Sequence, residues 1–201
     1  MPAQPPPDGI PPQRLRIVGV SGSGKSHLAQ AVAARMGLPR LDLDAVFWDA
    51  EWTYRDLDEA HHIIREFVTE HPDGWVSDGG WVNRLDGLLD PGTPNGADTF
   101  VWLDHPRRTV MRRVILRTLR RAVTREELWH GNRENPLTWL RWDPHRNIIR
   151  WAWVNHAVTR RRMRVLISEG VPVIRLCGQR EVNKWLASLP VRPVDGDDTC
   201  T

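Results

Sequence analysis

The stretch "RLRIVGVSGSGKSHLAQAVAARM", Arg14 to Met36, decides how the rest of the chain is read. Its first seven residues, 14–20, are a short apolar run that predicts a buried strand. From Lys25 to Met36 the apolar residues recur at helical spacing, and Gly37 with Pro39 stops the helix. Between strand and helix lie three glycines and two serines, then a lysine. The chain has 28 basic residues, of which only Lys25 and Lys184 are lysine. Arginine carries cationic charge almost everywhere, yet this turn has a lysine.

Gly19, Gly24, Lys25 and Ser26 fit the spacing G-x-x-x-x-G-K-S. The glycines permit backbone angles that a side chain would block, so peptide N–H groups can face inward. The loop Ser21, Gly22, Ser23 and Gly24, with the amides that open the helix at Lys25, Ser26 and His27, predicts a cradle for phosphate oxygens. Lys25 supplies a compact point charge to the outer phosphates, where a planar guanidinium would need more room. The Ser26 hydroxyl is a candidate Mg²⁺ ligand. The expected ligands are therefore the phosphates of a nucleotide and Mg²⁺. The alternative is a Gly/Ser turn between strand and helix with no ligand.

Further along, strands alternate with helices, which predicts a parallel sheet covered on both faces. Strands are expected in "LPRLDLDAVFW" (38–48), "GWVSDGG" (74–80), "TFVWLD" (99–104) and "VPVIRLC" (171–177). Helices are expected over Arg55–Glu70, Arg107–Thr124, about 137–169 with Pro144 interrupting, and 181–189. The first of these has Leu57, Ala60, Ile63, Ile64, Phe67 and Val68 on its apolar side. The segment 128–136 reads as a loop. Acids stand where these strands end, and ligands of such sheets bind at carboxyl ends. Asp78 is either a holder of Mg²⁺-bound water or a turn aspartate. Asp42 and Asp44 either meet a substrate hydroxyl, with one acting as base, or cap a helix.

At 201 residues the chain is of single-domain size. No run approaches the roughly 18 apolar residues of a membrane span, and "MPAQPPPDGIPPQ" lacks the form of a signal peptide. A Pro-rich tail over 1–13, a domain over 14–190 and a second tail over 191–201 are expected. Cys177 and Cys200 form no metal or disulfide pattern, and Cys177 is expected to be buried. The setting is expected to be cytoplasmic. The eight histidines form no ligand set.

The net charge of +3 hides an asymmetry. From His105 to Arg164, 16 arginines face four acids, while elsewhere 12 basic residues face 21 acids. Five of the 11 tryptophans fall between Trp129 and Trp153. Three readings are open: a solvated face with core tryptophans, a highly anionic second substrate or lid closure, or contact with nucleic acid through arginines and indoles.

"GVSGSGKS", "LDLDAVFW", "WVSDGGWVNR", "VWLDHPRRTVMRRVILR" and "IRLCGQREVNKWL" resemble, in order, the small P-loop kinases called topology modulation proteins. More distantly they resemble adenylate kinase and shikimate kinase. The resemblance implies an α/β P-loop NTPase three-layer sandwich with a five-stranded parallel sheet, nucleoside-monophosphate-kinase-like with a helical lid. It implies a substrate-binding insert over about 44–72 and a lid over about 118–140. It places Asp44, Arg55, Gly79 and Arg84 on the acceptor side, Asp78 beside the metal, and Arg113 and Arg117 as nucleotide-stacking and phosphate-clamping groups. Gln179, in the Gly178–Arg180 turn, would lie near the adenine. Arg84 stands six residues after Asp78, where the adenylate kinase pattern has its arginine at four. Lys25, Asp44, Arg113 and Arg117 would be the catalytic set. The implied activity is an ATP-dependent kinase acting on a small hydroxyl or phosphate acceptor. The alternative is an ATP-binding regulatory or nucleic-acid-associated protein with weak ATPase activity. Expected partners are ATP and a small acceptor, with nucleic acid as the alternative and no membrane.

Overall fold

The computed structural model describes residues 12–133 and 147–192. The elements run β1 (Arg14–Val18), α1 (Lys25–Met36), β2 (Arg40–Asp42), α2 (Leu43–Phe47), α3 (Leu57–Glu70), β3 (Trp75–Asp78), α4 (Val82–Leu85), β4 (Thr99–Leu103), α5 (Arg107–Thr124), α6 (Ile148–Ser168), β5 (Val173–Leu176) and α7 (Gln179–Ser188). Short 3₁₀ turns stand at Ala50–Trp52 and Trp129–Gly131. All five strands are parallel, in the order β2-β3-β1-β4-β5. The strand that feeds the glycine-rich loop is thus central, flanked by β3 and β4. This is the α/β architecture with a five-stranded parallel core that the loop and the strand–helix alternation predict.

Both faces of the sheet are covered, which is why the strands read as continuous apolar runs. Leu15, Ile17, Val76, Val101 and Ile174 meet Leu28 and Val32 of α1 and Val182 of α7. On the opposite face Trp75 meets Ala60, Ile64 and Val68 of α3, and Trp102 meets Met163 of α6. Val20, Val110, Val114 and Ala152 pin α5 and α6 beneath the glycine loop. Trp75 and Trp102 are almost wholly buried, each contributing on the order of 2–3 kcal/mol through apolar area removed from water.

One charge lies inside this second face. Arg16 is 1% exposed, pairs closely with Asp90 and stands 5.3 Å over the Phe100 ring. Burial lowers its pKa to about 10, against the pull of Asp90, so it stays protonated at neutral pH.

Several expectations are corrected. Cys177 is exposed, because it follows β5 where the chain leaves the sheet. Asp44 does not sit on the strand tip: β2 ends at Asp42, whose carboxylate caps α2 through the Asp44 amide at 3.0 Å. Arg55 precedes α3 instead of opening it, because Asp56 takes the cap position. Leu57 is 41% exposed, and His61 is buried on the core side in its place. The last helix begins at Gln179, two residues early, since Gly178 supplies its start. The helix expected over about 137–169 is described from Ile148, capped by Asn147. The part expected over 137–146, and the outer parts of both expected tails, lie outside the described residues. No helix among the described residues is long and apolar enough to cross a membrane.

Candidate active site

The loop after β1 has the backbone its glycines predict. Gly22 and Gly24 take φ of +79° and +95°, a region that side chains disfavour. A Cβ on Gly22 would run into Val114 of α5. Ser23 N–H donates to the Val20 carbonyl at 3.1 Å and closes the turn. Among the described residues, the amides of Gly22, Gly24, Lys25, Ser26 and His27 have no acceptor. Converging donors without acceptors at a helix start suit an anion. The cradle therefore fits a phosphate chain, and Ser26 stands where a hydroxyl can reach a divalent ion. The His27 side chain is exposed, so only its amide serves.

Lys25 lies across the loop, its Nζ donating to the Val20 carbonyl at 3.3 Å. Burial drives its pKa below the ordinary lysine value, and Asp44 and Asp78 oppose that fall. Asp78 ends β3 in register with Ile17 of β1 and Asp42 of β2. Parallel strands of similar reach thus carry acids to the same sheet edge as the loop. Asp78 is fully buried, and its Oδ1 accepts from Arg40 Nε at 2.9 Å. Its Oδ2 makes no well-aligned hydrogen bond, although the nearby Ser26 hydroxyl favours its anion. Burial raises the Asp78 pKa, with Ser26 and Arg40 offsetting part of the rise. Among the described residues no three His, Cys, Asp or Glu side chains form a metal-ligating group. Magnesium commonly takes one or two protein ligands and completes its shell with phosphate and water, and Ser26 and Asp78 suit that pattern.

Asp44 sits in the first turn of α2. Its Oδ1 accepts from Trp81 Nε1 at 2.6 Å. Burial raises its pKa, while Lys25 and then Trp81 oppose the rise. An aromatic wall surrounds it: Phe47 and Trp81 lie 5.0 Å apart, Trp48 stacks on Tyr54 at 4.8 Å, and Trp48 meets Trp81 edge-on at 5.1 Å. Gly79 has a φ of +135°, and a Cβ there would come within 2.7 Å of Leu43 Cβ. Arg55 and Arg84 are nearby but engaged. Arg55 Nε donates to the Val46 carbonyl at 2.8 Å, and its Nη1 reaches Glu59 at 2.7 Å. Arg84 stands over the Phe47 and Tyr54 rings and donates through Nη2 to the Arg55 carbonyl at 2.7 Å.

The segment Glu127–Arg133 crosses to this side. Trp129 Nε1 donates to Asp42 Oδ2 at 3.1 Å, and His130 Nε2 to the Ala45 carbonyl at 2.9 Å. Asn132 donates through Nδ2 to the Asp49 carbonyl at 2.7 Å and accepts at Oδ1 from the Trp52 amide at 2.8 Å. On the other side of the loop, Arg113 donates to the Ser23 carbonyl at 3.3 Å and to Gln179 Oε1 at 2.9 Å. Arg117 Nη2 donates to Ser21 Oγ at 2.9 Å. His105 is buried, and burial with the Arg113 charge lowers its pKa, leaving a neutral imidazole at neutral pH.

The sequence-predicted residues thus fall into three groups. Lys25, Ser26, Asp44 and Asp78 converge on the loop. Arg113, Arg117 and Gln179 bracket it from α5 and α7. Arg55, Gly79 and Arg84 stand behind the aromatic wall. Sequence reasoning missed Arg40, Trp81 and Trp129, which hold the three acids. The tryptophan surplus was the only signal for the two indoles, and it does not say which indole meets which carboxylate; nothing singled out Arg40.

No protein-family model matches this chain. Among curated proteins, the pentafunctional AROM polypeptide of Schizosaccharomyces pombe (strain 972 / ATCC 24843) is 34% identical over 83 residues, covering 35% of this chain and 5% of that polypeptide. The chain therefore matches only about a twentieth of that relative's length. Among solved structures, an unliganded sugar kinase from Janibacter sp. HTCC2649 aligns with a TM-score of 0.44 and 15% identity, over 91% of this chain and 97% of that one. A gluconokinase from Sinorhizobium meliloti 1021 aligns with a TM-score of 0.46 and 17% identity, over 88% and 92%. The parallel five-stranded sheet and the G-x-x-x-x-G-K-S loop leaving its central strand define an α/β P-loop protein.

Proposed function

We propose that this chain is a Mg²⁺-dependent P-loop kinase that moves the γ-phosphoryl group of ATP to a hydroxyl of a small acceptor. The observation that carries the reading is one charge cluster beside a cradle of unsatisfied amides: Asp44 and Asp78 hold up the charge of the buried Lys25, whose Nζ lies across the loop, and Lys25 in turn favours the Asp44 anion. Perturbed, partly desolvated groups of this kind gather where chemistry is done.

Each side chain then has a task. The loop amides and Lys25 hold the phosphate chain and draw charge from its equatorial oxygens, where phosphoryl transfer develops it. Ser26 and Asp78 would hold the magnesium ion, directly or through water; the ion would neutralise phosphate charge. Arg113 and Arg117 approach the donor from α5, with Gln179 near the base. Asp44 accepts the proton of the acceptor hydroxyl as its oxygen bonds to the γ-phosphorus and the bond from phosphorus to the β,γ-bridging oxygen breaks. Trp81 fixes the carboxylate for that role. The acceptor insert, about 44–72, would close over the acceptor, and of the lid expected over about 118–140 the residues 134–140 lie outside the described residues.

A hydroxyl acceptor is favoured over a phosphate one. Arg55 and Arg84, the two arginines expected to grip an acceptor phosphate, are engaged with backbone, Glu59 and aromatic rings. What faces Asp44 is an indole wall beside carboxylates, which suits a polar, uncharged hydroxyl compound. A transfer screen with γ-labelled ATP tests this, using polyols, hydroxy acids, nucleosides and nucleoside monophosphates. Label in a hydroxyl compound, lost in Asp44→Asn, supports the reading. Label only in a monophosphate, or hydrolysis to ADP with every acceptor, contradicts it.

A further inference from the structure

A second cationic surface lies away from the glycine loop. A cleft of about 810 Å³ opens between the start of α5 and one face of α6, lined by Arg107, Arg160, Arg161 and Arg164 with no acidic residue among them. Arg160 pairs with the buried Asp104 at 2.9 Å, and Arg175 completes that carboxylate's charge balance. The others have no such partner. Among the described residues Arg161 and Arg164 make no ion pair or hydrogen bond, and Arg107 contacts only the Trp153 ring, at 4.6 Å.

This arrangement has a cost without a ligand. Arg160 and Arg164 are spaced i,i+4, and Arg161 and Arg164 i,i+3, so like charges face each other along α6. The start of α5 adds to the positive field. Its cap, Pro106, offers no side-chain acceptor, so the helix end directs uncompensated partial charge toward the same cleft. Bidentate guanidinium forks match phosphate oxygens, and three uncompensated arginines exceed what one phosphate group requires. The lining face of α6, from His156 to Ser168, is about 18 Å long at 1.5 Å per residue. That suits a compact ligand and is short for an extended strand.

We propose that this cleft is a second anion site, separate from the glycine loop, that takes a short phosphate chain of two or more phosphates. Such a chain comes either free, as pyrophosphate, or as the tail of a second nucleotide. The site does not depend on the kinase reading.

The test is calorimetric titration of pyrophosphate, ADP and a 20-nucleotide single-stranded DNA into four proteins: wild type, Lys25→Ala, the double variant Arg161→Glu/Arg164→Glu, and Arg107→Glu. Both α6 positions are exposed, so the double variant should melt as the wild type does. The proposal predicts a pyrophosphate-binding component that persists in Lys25→Ala and weakens at least tenfold in the double variant and in Arg107→Glu. Tighter binding of ADP with the same variant pattern identifies a nucleotide tail as the source; equal or weaker binding identifies the free chain. Unchanged affinity in the α6 double variant, loss confined to Lys25→Ala, or binding of the DNA alone would overturn it.

Discussion

Lys25, Asp44 and Asp78 each carry a charge that burial disfavours, and the signs of their pKa shifts have consequences for stability. The Asp44 pKa is raised above its ordinary 3.8. Between that value and the raised one, the folded chain keeps a proton that the unfolded chain has released. Stability therefore falls as pH climbs through that window. Asp44→Asn removes this contribution. Urea melts across acidic pH should show the wild type losing stability, relative to Asp44→Asn, as pH rises from about 4; parallel curves would contradict the assignment. The Lys25 shift runs the other way: its folded pKa lies below the ordinary 10.5, so its penalty is full below the folded value and fades as pH rises toward 10.5. Asp44→Asn should also lower turnover on the order of 10²- to 10⁴-fold, the range expected of a general base.

At the scale of elements, the glycine loop and α5 fit each other closely. Gly22→Ala would force an alanine to φ +79° and push its methyl group into Val114. The expected result is a loss of about 1–3 kcal/mol and at least tenfold weaker nucleotide binding, read by chemical denaturation and titration. The segment Glu127–Arg133 is tied to the acceptor side through Trp129 and Asp42. Trp129→Ala should speed hydrogen exchange over 127–133 and reduce kcat/KM about tenfold, while stability changes by only about 1 kcal/mol. Undisturbed exchange there would mean the contact does not hold the segment. These elements differ in how far the sequence reveals them. The loop, α1 and α5 were legible to the residue, because a spacing motif and strong helical periodicity are local signals. Asp42 and Asp44 were legible as acids but not in their geometry, because the cap at Asp42 ends β2 and moves Asp44 onto a helix. Arg55 and Arg84 were legible as acceptor-side arginines only by resemblance, and their carbonyl and aromatic partners arrive only through tertiary packing. Trp81 and Trp129 were invisible for the same reason.

For the whole molecule, the parallel sheet sets the design. β1 lies between β3 and β4, so one sheet edge gathers the loop, Asp42 and Asp78, while the helices on both faces exclude water from the strands. Arg16 shows what that layered core requires of a charge. Its partner Asp90 comes from the loop before β4, and Arg162 of α6 stands 3.9 Å from the same carboxylate. Asp90→Asn leaves the buried guanidinium without its counter-charge and should cost about 3–5 kcal/mol, seen in denaturant melts, with nucleotide affinity unaltered under folded conditions. The most direct test of the central claim is calorimetric titration of ATP with Mg²⁺ into the wild type and Lys25→Ala. The account predicts saturable binding at the loop, weakened roughly 10- to 100-fold in the variant by loss of a charge-assisted contact, with no loss of melting temperature. Equal affinity in both proteins, or no heat from the folded wild type, would contradict it.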